Sequence, residues 1–225
     1  DVAAVVLHVA AAAEVMIVTA TVPNGLNLKW DEADLRRKAY AQQHHIPIIQ
    51  DEGLAFLEMV IRLIQPKRIL EIGSAIGYSA IRMHQVCGSL VTTIERDPKM
   101  VSVAKEEIAQ AGLTSQIRLV FKDALEAYSE VAEESYDLIF IDAAKAQYAK
   151  FFQIYTPLLK QGGVVVCDNM LFHGLLEENK EQQSRSLRGL VRKLSAFHQT
   201  LLEDERFQTS IFPIGDGMSV SVKTN

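Results

Sequence analysis

Five short apolar runs, most of them closing on an acidic residue, recur along the chain with helix-like segments between them, and this alternation constrains the fold more than any other feature. The runs are Arg68 to Ile72, Leu90 to Glu95, Ile117 to Phe121 (leading into Lys122-Asp123-Ala124), Tyr136 to Asp142 and Gly162 to Asp168. Helical spacing fills the gaps over Tyr78 to about Val86, Pro98 to Ala111 and Tyr148 to Leu159. Strand and helix in strict alternation give a doubly wound parallel sheet covered by helices on both faces. A long helix from about Ser184 to Asp204 precedes two last strands, Phe207 to Pro213 and Met218 to Val222. Gly215-Asp216-Gly217 between them is hairpin chemistry, so the expected fold is a seven-stranded, mostly parallel sheet with one antiparallel edge strand.

Upstream, Asp31 to His45 and Asp51 to Ile64 read as amphipathic helices ending near Pro47 and Pro66. The Ala- and Val-rich stretch from Val2 to Val22 is long enough to reach across a bilayer, but Glu14 sits inside it and no basic residue precedes it. It is read instead as one or two helices packing on the domain or on a second subunit. The expected division is an N-terminal helical segment, 1–45, and a larger domain, 46–225. With 225 residues, 48% of them hydrophobic, one sizeable core is available. A net charge of −5 gives no global attraction to nucleic acid or to an anionic membrane, although a local basic patch remains open. Cys87 and Cys167 match no metal or redox spacing, which makes a reducing cytoplasm the expected compartment.

In doubly wound sheets ligands bind beyond the carboxyl ends of the strands, which singles out Glu71 to Gly73, Glu95, Asp123, Asp142 and Asp168-Asn169. Gly73-x-x-x-Gly77 lets backbone approach a ligand and starts a helix tight against the sheet. It is not the Gly-x-Gly-x-x-Gly spacing of pyrophosphate-binding folds. Glu95, closing the second strand, is placed to accept hydrogen bonds from ribose hydroxyls, the other reading being a solvated strand end before the Asp97-Pro98 helix start. Together these residues point to a nucleoside-containing cofactor.

Asp142 and Asp168-Asn169 are hard oxygen donors ending buried strands, with no sulfur or imidazole beside them, a set suited to Mg²⁺ rather than Zn²⁺. Three such ligands leave room for a bidentate substrate and a water. The competing reading is that both aspartates cap following helices. Lys145, close to the cation and partly desolvated, is expected to take a proton from a hydroxyl already acidified by the metal; as the alternative, it is a counter-ion to the acidic cluster.

These residues resemble the cation-dependent class I O-methyltransferases, the family of catechol and caffeoyl-coenzyme A O-methyltransferases, from Ile46 to the C-terminus. The motifs are Leu70-Glu-Ile-Gly73 through Gly77-Tyr-Ser79, Thr93-Ile-Glu95, Lys122-Asp-Ala124, Phe140-Ile-Asp142 and Asp168-Asn169. The resemblance implies a Rossmann-like fold and an S-adenosyl-L-methionine site lined by Glu71, Gly73, Ser79, Glu95 and Ala124 with backbone around Ile48, Asp123 and Asp142 being counted with it. It implies a divalent cation (Mg²⁺, or Mn²⁺ or Ca²⁺) on Asp142, Asp168 and Asn169, with Lys145 and Asp142 catalytic, and a homodimer whose N-terminal helices help cover the acceptor site. Plant members carry an acidic residue where this chain has Ala144. A narrower resemblance is to bacterial enzymes that methylate 5-hydroxyuridine at the tRNA wobble position, carried by Ala41 to Ile49, Ala75 to Met83, Ile141 to Tyr148, Asp168 to Gly174 and Ile214 to Gly217. It implies the anticodon loop of tRNA as partner, a small catechol-like aromatic acceptor being the alternative. Arg185, Arg188, Arg192 and Lys193, with Arg36, Arg37 and Lys38, are the candidates for phosphate contacts, the commoner reading of such clusters being an ordinary solvated helix face. Phe172 and Tyr148 are read first as core residues, with stacking on the acceptor as the alternative, and His173 as a structural or surface residue, with the pocket rim as its alternative place.

Overall fold

The structure, a computed structural model, describes residues 28–171 and 185–225. The Ala/Val-rich stretch, Phe172 and His173 therefore lie outside the described residues. Seven strands, β1 (Arg68–Ile72), β2 (Leu90–Glu95), β3 (Ile117–Phe121), β4 (Tyr136–Ile141), β5 (Leu159–Cys167), β6 (Phe207–Phe212) and β7 (Met218–Lys223), form one sheet in the order β3-β2-β1-β4-β5-β7-β6. The neighbours from β3 to β5 pair in parallel, whereas β7 runs antiparallel to both β5 and β6. The expected antiparallel strand is thus β7, and it lies one place in from the edge. The tight hairpin inserts it between β5 and β6, so β6 closes the sheet.

Helices α1 (Glu32–Gln43), α2 (Asp51–Ile64), α3 (Tyr78–Cys87), α4 (Pro98–Gln110), α5 (Tyr128–Val131), α6 (Tyr148–Tyr155) and α7 (Arg185–Glu203) complete the described fold. Strand side chains alternate between two apolar layers, as a sheet covered on both faces requires. Leu70, Ile72, Ile139, Ile141, Val165 and Cys167 pack with Tyr148, Phe152 and Phe197 of α6 and α7. Ile69, Leu138, Phe140, Val164 and Val166 pack with Leu54, Leu57, Ile61 and Ile81 of α2 and α3. The helix expected to reach Leu159 is α-helical only to Tyr155, because Pro157 turns its end into a short 3₁₀ segment, Thr156–Leu158. The four-residue α5 carries too little periodicity to be read from sequence.

Helix starts follow local chemistry. Asp31 accepts from the Asp34 N–H at 2.7 Å and Asp34 reaches back to the Asp31 N–H, a reciprocal cap on α1. Asp97 caps α4, with Pro98 at its first position. The first helix is then locked to the domain through Arg82 of α3. Its buried guanidinium donates to Glu58 of α2, to Asp34 of α1 and to the Lys29 carbonyl.

Candidate active site

Beyond strand ends β1, β2, β4 and β5, the chain opens a cavity of about 590 Å³. It lies where the strand order reverses, between β1 and its two neighbours β2 and β4, the position at which open α/β sheets hold ligands. Backbone bonds continue the ladder past the strands and fix what projects there. Gly73 N–H donates to the Ile94 carbonyl at 2.9 Å, Asp142 N–H to Ile72 at 3.0 Å and Asp168 N–H to Ile141 at 3.1 Å.

On one side the cavity wall is Gly73, Ala75, Ser79, Glu95, Asp123 and Ala124, facing the Ile48 segment. Glu95 accepts from the N–H groups of Arg96 and Asp97 through Oε1 and from Ala75 through Oε2, at 2.8, 2.9 and 3.0 Å. A carboxylate has about four acceptor positions, so the geometry leaves room for one further strong hydrogen bond at Oε2 rather than a pair. Asp123 accepts from the Leu125 N–H and from Arg96, and those two contacts hold its carboxyl below the usual range. Two buried wall atoms, Ser74 Oγ and Gln147 Oε1, have no protein partner, a polar surplus suited to a polar ligand.

Glu71 does not reach the wall. It is fully buried behind Ser79, accepting from the hydroxyls of Ser79 and Thr93 at 2.5 Å each. Burial raises its carboxyl to about 7, against the lowering effect of those two hydroxyls. The glycines also have packing reasons that sequence alone did not show. A Cβ on Gly73, whose φ is +94°, would lie 2.2 Å from the Asp142 carbonyl oxygen; one on Gly77 would press on Ala104 of α4 at 3.3 Å. Gly73 is therefore what lets β1 and β4 end side by side.

Opposite, Asp142, Asp168 and Asn169 converge with Lys145 and Asp216 on the same cavity. Asn169, held at φ +61°, donates its side-chain amide to Asp142 Oδ1 at 3.1 Å, and its N–H donates to Asp168 Oδ1 at 2.6 Å. Neither helix after β4 is capped by Asp142: Ala144 precedes the 3₁₀ turn Lys145–Gln147 and Gln147 precedes α6, both without a side-chain cap. Burial and then the neighbouring Asp168 charge push the Asp142 carboxyl upward; burial also raises Asp168. Two adjacent carboxylates beside the Asn169 side-chain amide are a hard-oxygen set that a divalent cation would relieve of that repulsion. Among the described residues no group of three or more His, Cys, Asp or Glu gathers as a metal site, so the set rests on two carboxylates plus the amide. Burial lowers the Lys145 ammonium, opposed by Asp216, Asp168 and Asp142 in that order.

Tyr148 is buried against Phe197 in the core, ring centroids 6.0 Å apart, and is not exposed to stack on an acceptor. The α1 basic cluster is spoken for by acids. Arg36 and Arg37 donate to Glu107, Arg37 also to Asp34, and Lys38 to Asp51. Sequence reasoning missed Asp216 as a pocket residue because its two flanking glycines announce a turn and nothing more.

The chain matches the model of the O-methyltransferase family over residues 30–224. It is similar to a catechol O-methyltransferase from Niastella koreensis, 36% identical over 159 residues that cover 66% of this chain and 72% of that one. Among solved structures it resembles a putative caffeoyl-CoA O-methyltransferase from Staphylococcus aureus, at a TM-score of 0.81 and 38% identity, covering 86% of this chain and 92% of the other. An SAH-bound methyltransferase from Podospora anserina matches at a TM-score of 0.77 and 25% identity, covering 87% and 89%. The chain belongs to the O-methyltransferase family. It is an S-adenosylmethionine-dependent O-methyltransferase. No helix among the described residues is long and apolar enough to cross a membrane.

Proposed function

We propose that the enzyme methylates one of two vicinal oxygens on its acceptor in a divalent-cation-dependent reaction. The observation that carries this is the placement of Asp142, Asp168, Asn169 and Lys145 on the same cavity as Gly73, Ser79 and Glu95. Glu95 and Asp123 would hold the adenosine end of the donor, and Ser79, steadied by Glu71, its amino-acid end. Asp142, Asp168 and Asn169 would hold the cation, which supplies a lowered pKa to a chelated hydroxyl. Lys145 would take the hydroxyl proton on Nζ, its ammonium already destabilised by burial. The walls then keep oxygen, methyl and sulfur in line, which is where most of the acceleration of such a transfer arises.

The acceptor we infer is 5-hydroxyuridine at the wobble position of tRNA, giving 5-methoxyuridine. Its O5 and O4 are vicinal, and a loop base can be splayed into a pocket. Support comes from the sequence stretches around the site, including Ile141 to Tyr148 and Ile214 to Gly217. Phosphate contacts in this reading come from exposed basic residues of α7 such as Arg192 and Lys193. A catechol-like small acceptor is the second reading, favoured by the similarity to a catechol O-methyltransferase. Transfer of labelled methyl to 5-hydroxyuridine-containing tRNA and to catechols, with Mg²⁺ or with a chelator, tests both. Label at the wobble uridine that disappears with chelator is the expected result. Label in catechols alone transfers the function to small molecules, and chelator-insensitive turnover removes the cation.

A further inference from the structure

Gln147 stands in the cavity wall at the start of a helix that is tied to the opposite strand end. Helix α6 docks on the segment after β3 through Tyr155, whose hydroxyl donates to the Ala124 carbonyl at 2.6 Å. The rings of Tyr155 and Tyr128, centroids 6.5 Å apart, add to that contact. Gln147, Phe151 and Tyr155 recur every fourth residue, so they occupy one strip of the helix. Gln147 immediately precedes α6 with its backbone already in the helical region, and its N–H donates to the Ala144 carbonyl at 2.8 Å. The strip therefore leads from the Ala124 loop back to the cavity, which Gln147 and Phe151 line together with Ala124 and Leu125.

Among the buried wall atoms without a protein partner, Gln147 Oε1 is the most selective in what it can take. A hydroxyl such as Ser74 Oγ turns to donate or to accept, whereas an amide oxygen only accepts. Buried and unpaired, it carries the desolvation cost of a carbonyl until an N–H or O–H reaches it. S-adenosylmethionine offers three sets of such groups: the ribose hydroxyls, the α-ammonium and the 6-amino group of adenine. The first two fall, in the reading above, to Glu95 and to the Ser79 end. The 6-amino group is left, and apolar Ala124, Leu125 and Phe151 suit the flat ring that carries it. Asp123, the neighbouring acceptor, is already engaged on both oxygens, by the Leu125 N–H at Oδ1 and by Arg96 at Oδ2. A glutamine amide also sets a donor beside its acceptor, complementary to the amino group and adjacent ring nitrogen of adenine.

We propose that Gln147 reads the adenine of bound S-adenosylmethionine, its Oε1 accepting from the 6-amino group. This rests on the S-adenosylmethionine dependence of the enzyme and is independent of the cation and of the acceptor. The test is calorimetry on the full chain with two ligands: S-adenosylhomocysteine, and its analogue with hydrogen in place of the 6-amino group. Wild type is compared with Gln147→Met, which keeps the length without a strong acceptor, and with Gln147→Glu, which keeps an acceptor oxygen. One hydrogen bond to an otherwise orphaned buried oxygen corresponds to a wild-type preference of about 10-fold for the amino-bearing ligand. Gln147→Met is expected to bind S-adenosylhomocysteine about 10-fold more weakly and the analogue within about threefold of wild type, so that the preference disappears. Gln147→Glu is expected to retain it. A wild type without the preference, a methionine variant that retains it or loses both ligands alike, or a glutamate variant no better than methionine each overturns the proposal. If the methionine variant has no folding transition, the preferences of wild type and glutamate variant still decide. A wild type that binds neither ligand overturns the proposal together with the cofactor assignment on which it rests.

Discussion

Asn169 donates its side-chain amide to Asp142 Oδ1 across 3.1 Å, joining the ends of β4 and β5 where the Asp142 and Asp168 carboxyls meet. The bond offsets only part of what it costs to keep Asp142 and Asp168 together. Burial and mutual repulsion remain, and both act against the ionised forms.

Asp142→Asn should therefore separate stability from activity. Removing one buried charge is expected to raise the melting temperature of the metal-free protein by a few degrees, about 1 kcal/mol, because the repulsion goes while the hydrogen-bonding shape stays. The same change should abolish chelator-sensitive turnover. It should also erase the thermal shift that millimolar Mg²⁺ is expected to give the wild type, since a ligand that binds only the folded state stabilises it. Differential scanning fluorimetry with and without Mg²⁺ reads both effects, and a lower melting temperature in the variant would contradict the electrostatic account.

Glu71 predicts a pH signature. Burial lifts its folded carboxyl to about 7 from an ordinary 4.5, so between these values the folded chain holds a proton that the unfolded chain releases. Below about 4.5 both states are protonated and the residue contributes nothing to the slope. Stability then falls as pH rises from about 4.5 to about 7 and levels off above, by an amount on the order of 3 kcal/mol at most. Glu71→Gln should remove that decline, making the variant more stable than wild type at pH 8 relative to pH 4.5. Denaturant melts at the two pH values measure the difference. Because Ser79 loses its anionic partner, donor affinity should drop a few-fold as well.

The alternation of strands and helices was readable because strands buried on both faces must be apolar throughout, as Leu138 to Ile141 and Val164 to Val166 are. Residues at the strand ends were readable for a related reason: a carboxylate closing a buried run has few ordinary uses. What could not be read is what depends on a partner far along the chain. Arg82 looks like a solvated helix arginine until α1 and α2 bring Asp34 and Glu58 to it. Glu71 and Ser79, eight residues apart, look like two wall residues, yet the strand-to-helix turn stacks one behind the other. Asp216 is 71 residues from Lys145 in sequence, and only the insertion of β7 beside β5 places them in one cavity. The basic run Arg36 to Lys38 is paired with acids, Glu107 and Asp51, that other helices bring to it and that the sequence does not place nearby.

Arg82 carries a stability prediction independent of catalysis. Its guanidinium and the side chains of Asp34 and Glu58 are nearly inaccessible to solvent, at 8%, 2% and 10% exposure. Arg82→Ala leaves Asp34 with Arg37 but strips buried Glu58 of its cation, with a cost of about 3 kcal/mol. Arg82→Lys keeps a charge but cannot fork to both acids, and should fall between the two. Urea melts of the three proteins should rank them in that order, and equal midpoints would show the network to be stability-neutral.

Glu95 gives the sharpest test of the donor site. Its Oε1 is occupied by two backbone N–H groups and its Oε2 by one, so a ligand has a single further strong hydrogen bond to form there. A hydrogen bond to a charged acceptor contributes roughly 1.5 to 3 kcal/mol, which sets an expected loss of about 10- to 100-fold in S-adenosylmethionine affinity for Glu95→Ala. Glu95→Gln keeps one carbonyl oxygen that can serve either the turn or the ligand, but not both. Its loss should be smaller than that of alanine and larger than threefold. The proposed cation ligands Asp142, Asp168 and Asn169 are other residues of the cavity, so any Mg²⁺ binding should be unchanged in both variants. Calorimetry with the donor product and, separately, with Mg²⁺ distinguishes these effects. If alanine and glutamine bind the donor as tightly as wild type, the carboxylate serves only the turn from Arg96 to Asp97, and the ribose must be held elsewhere on the wall.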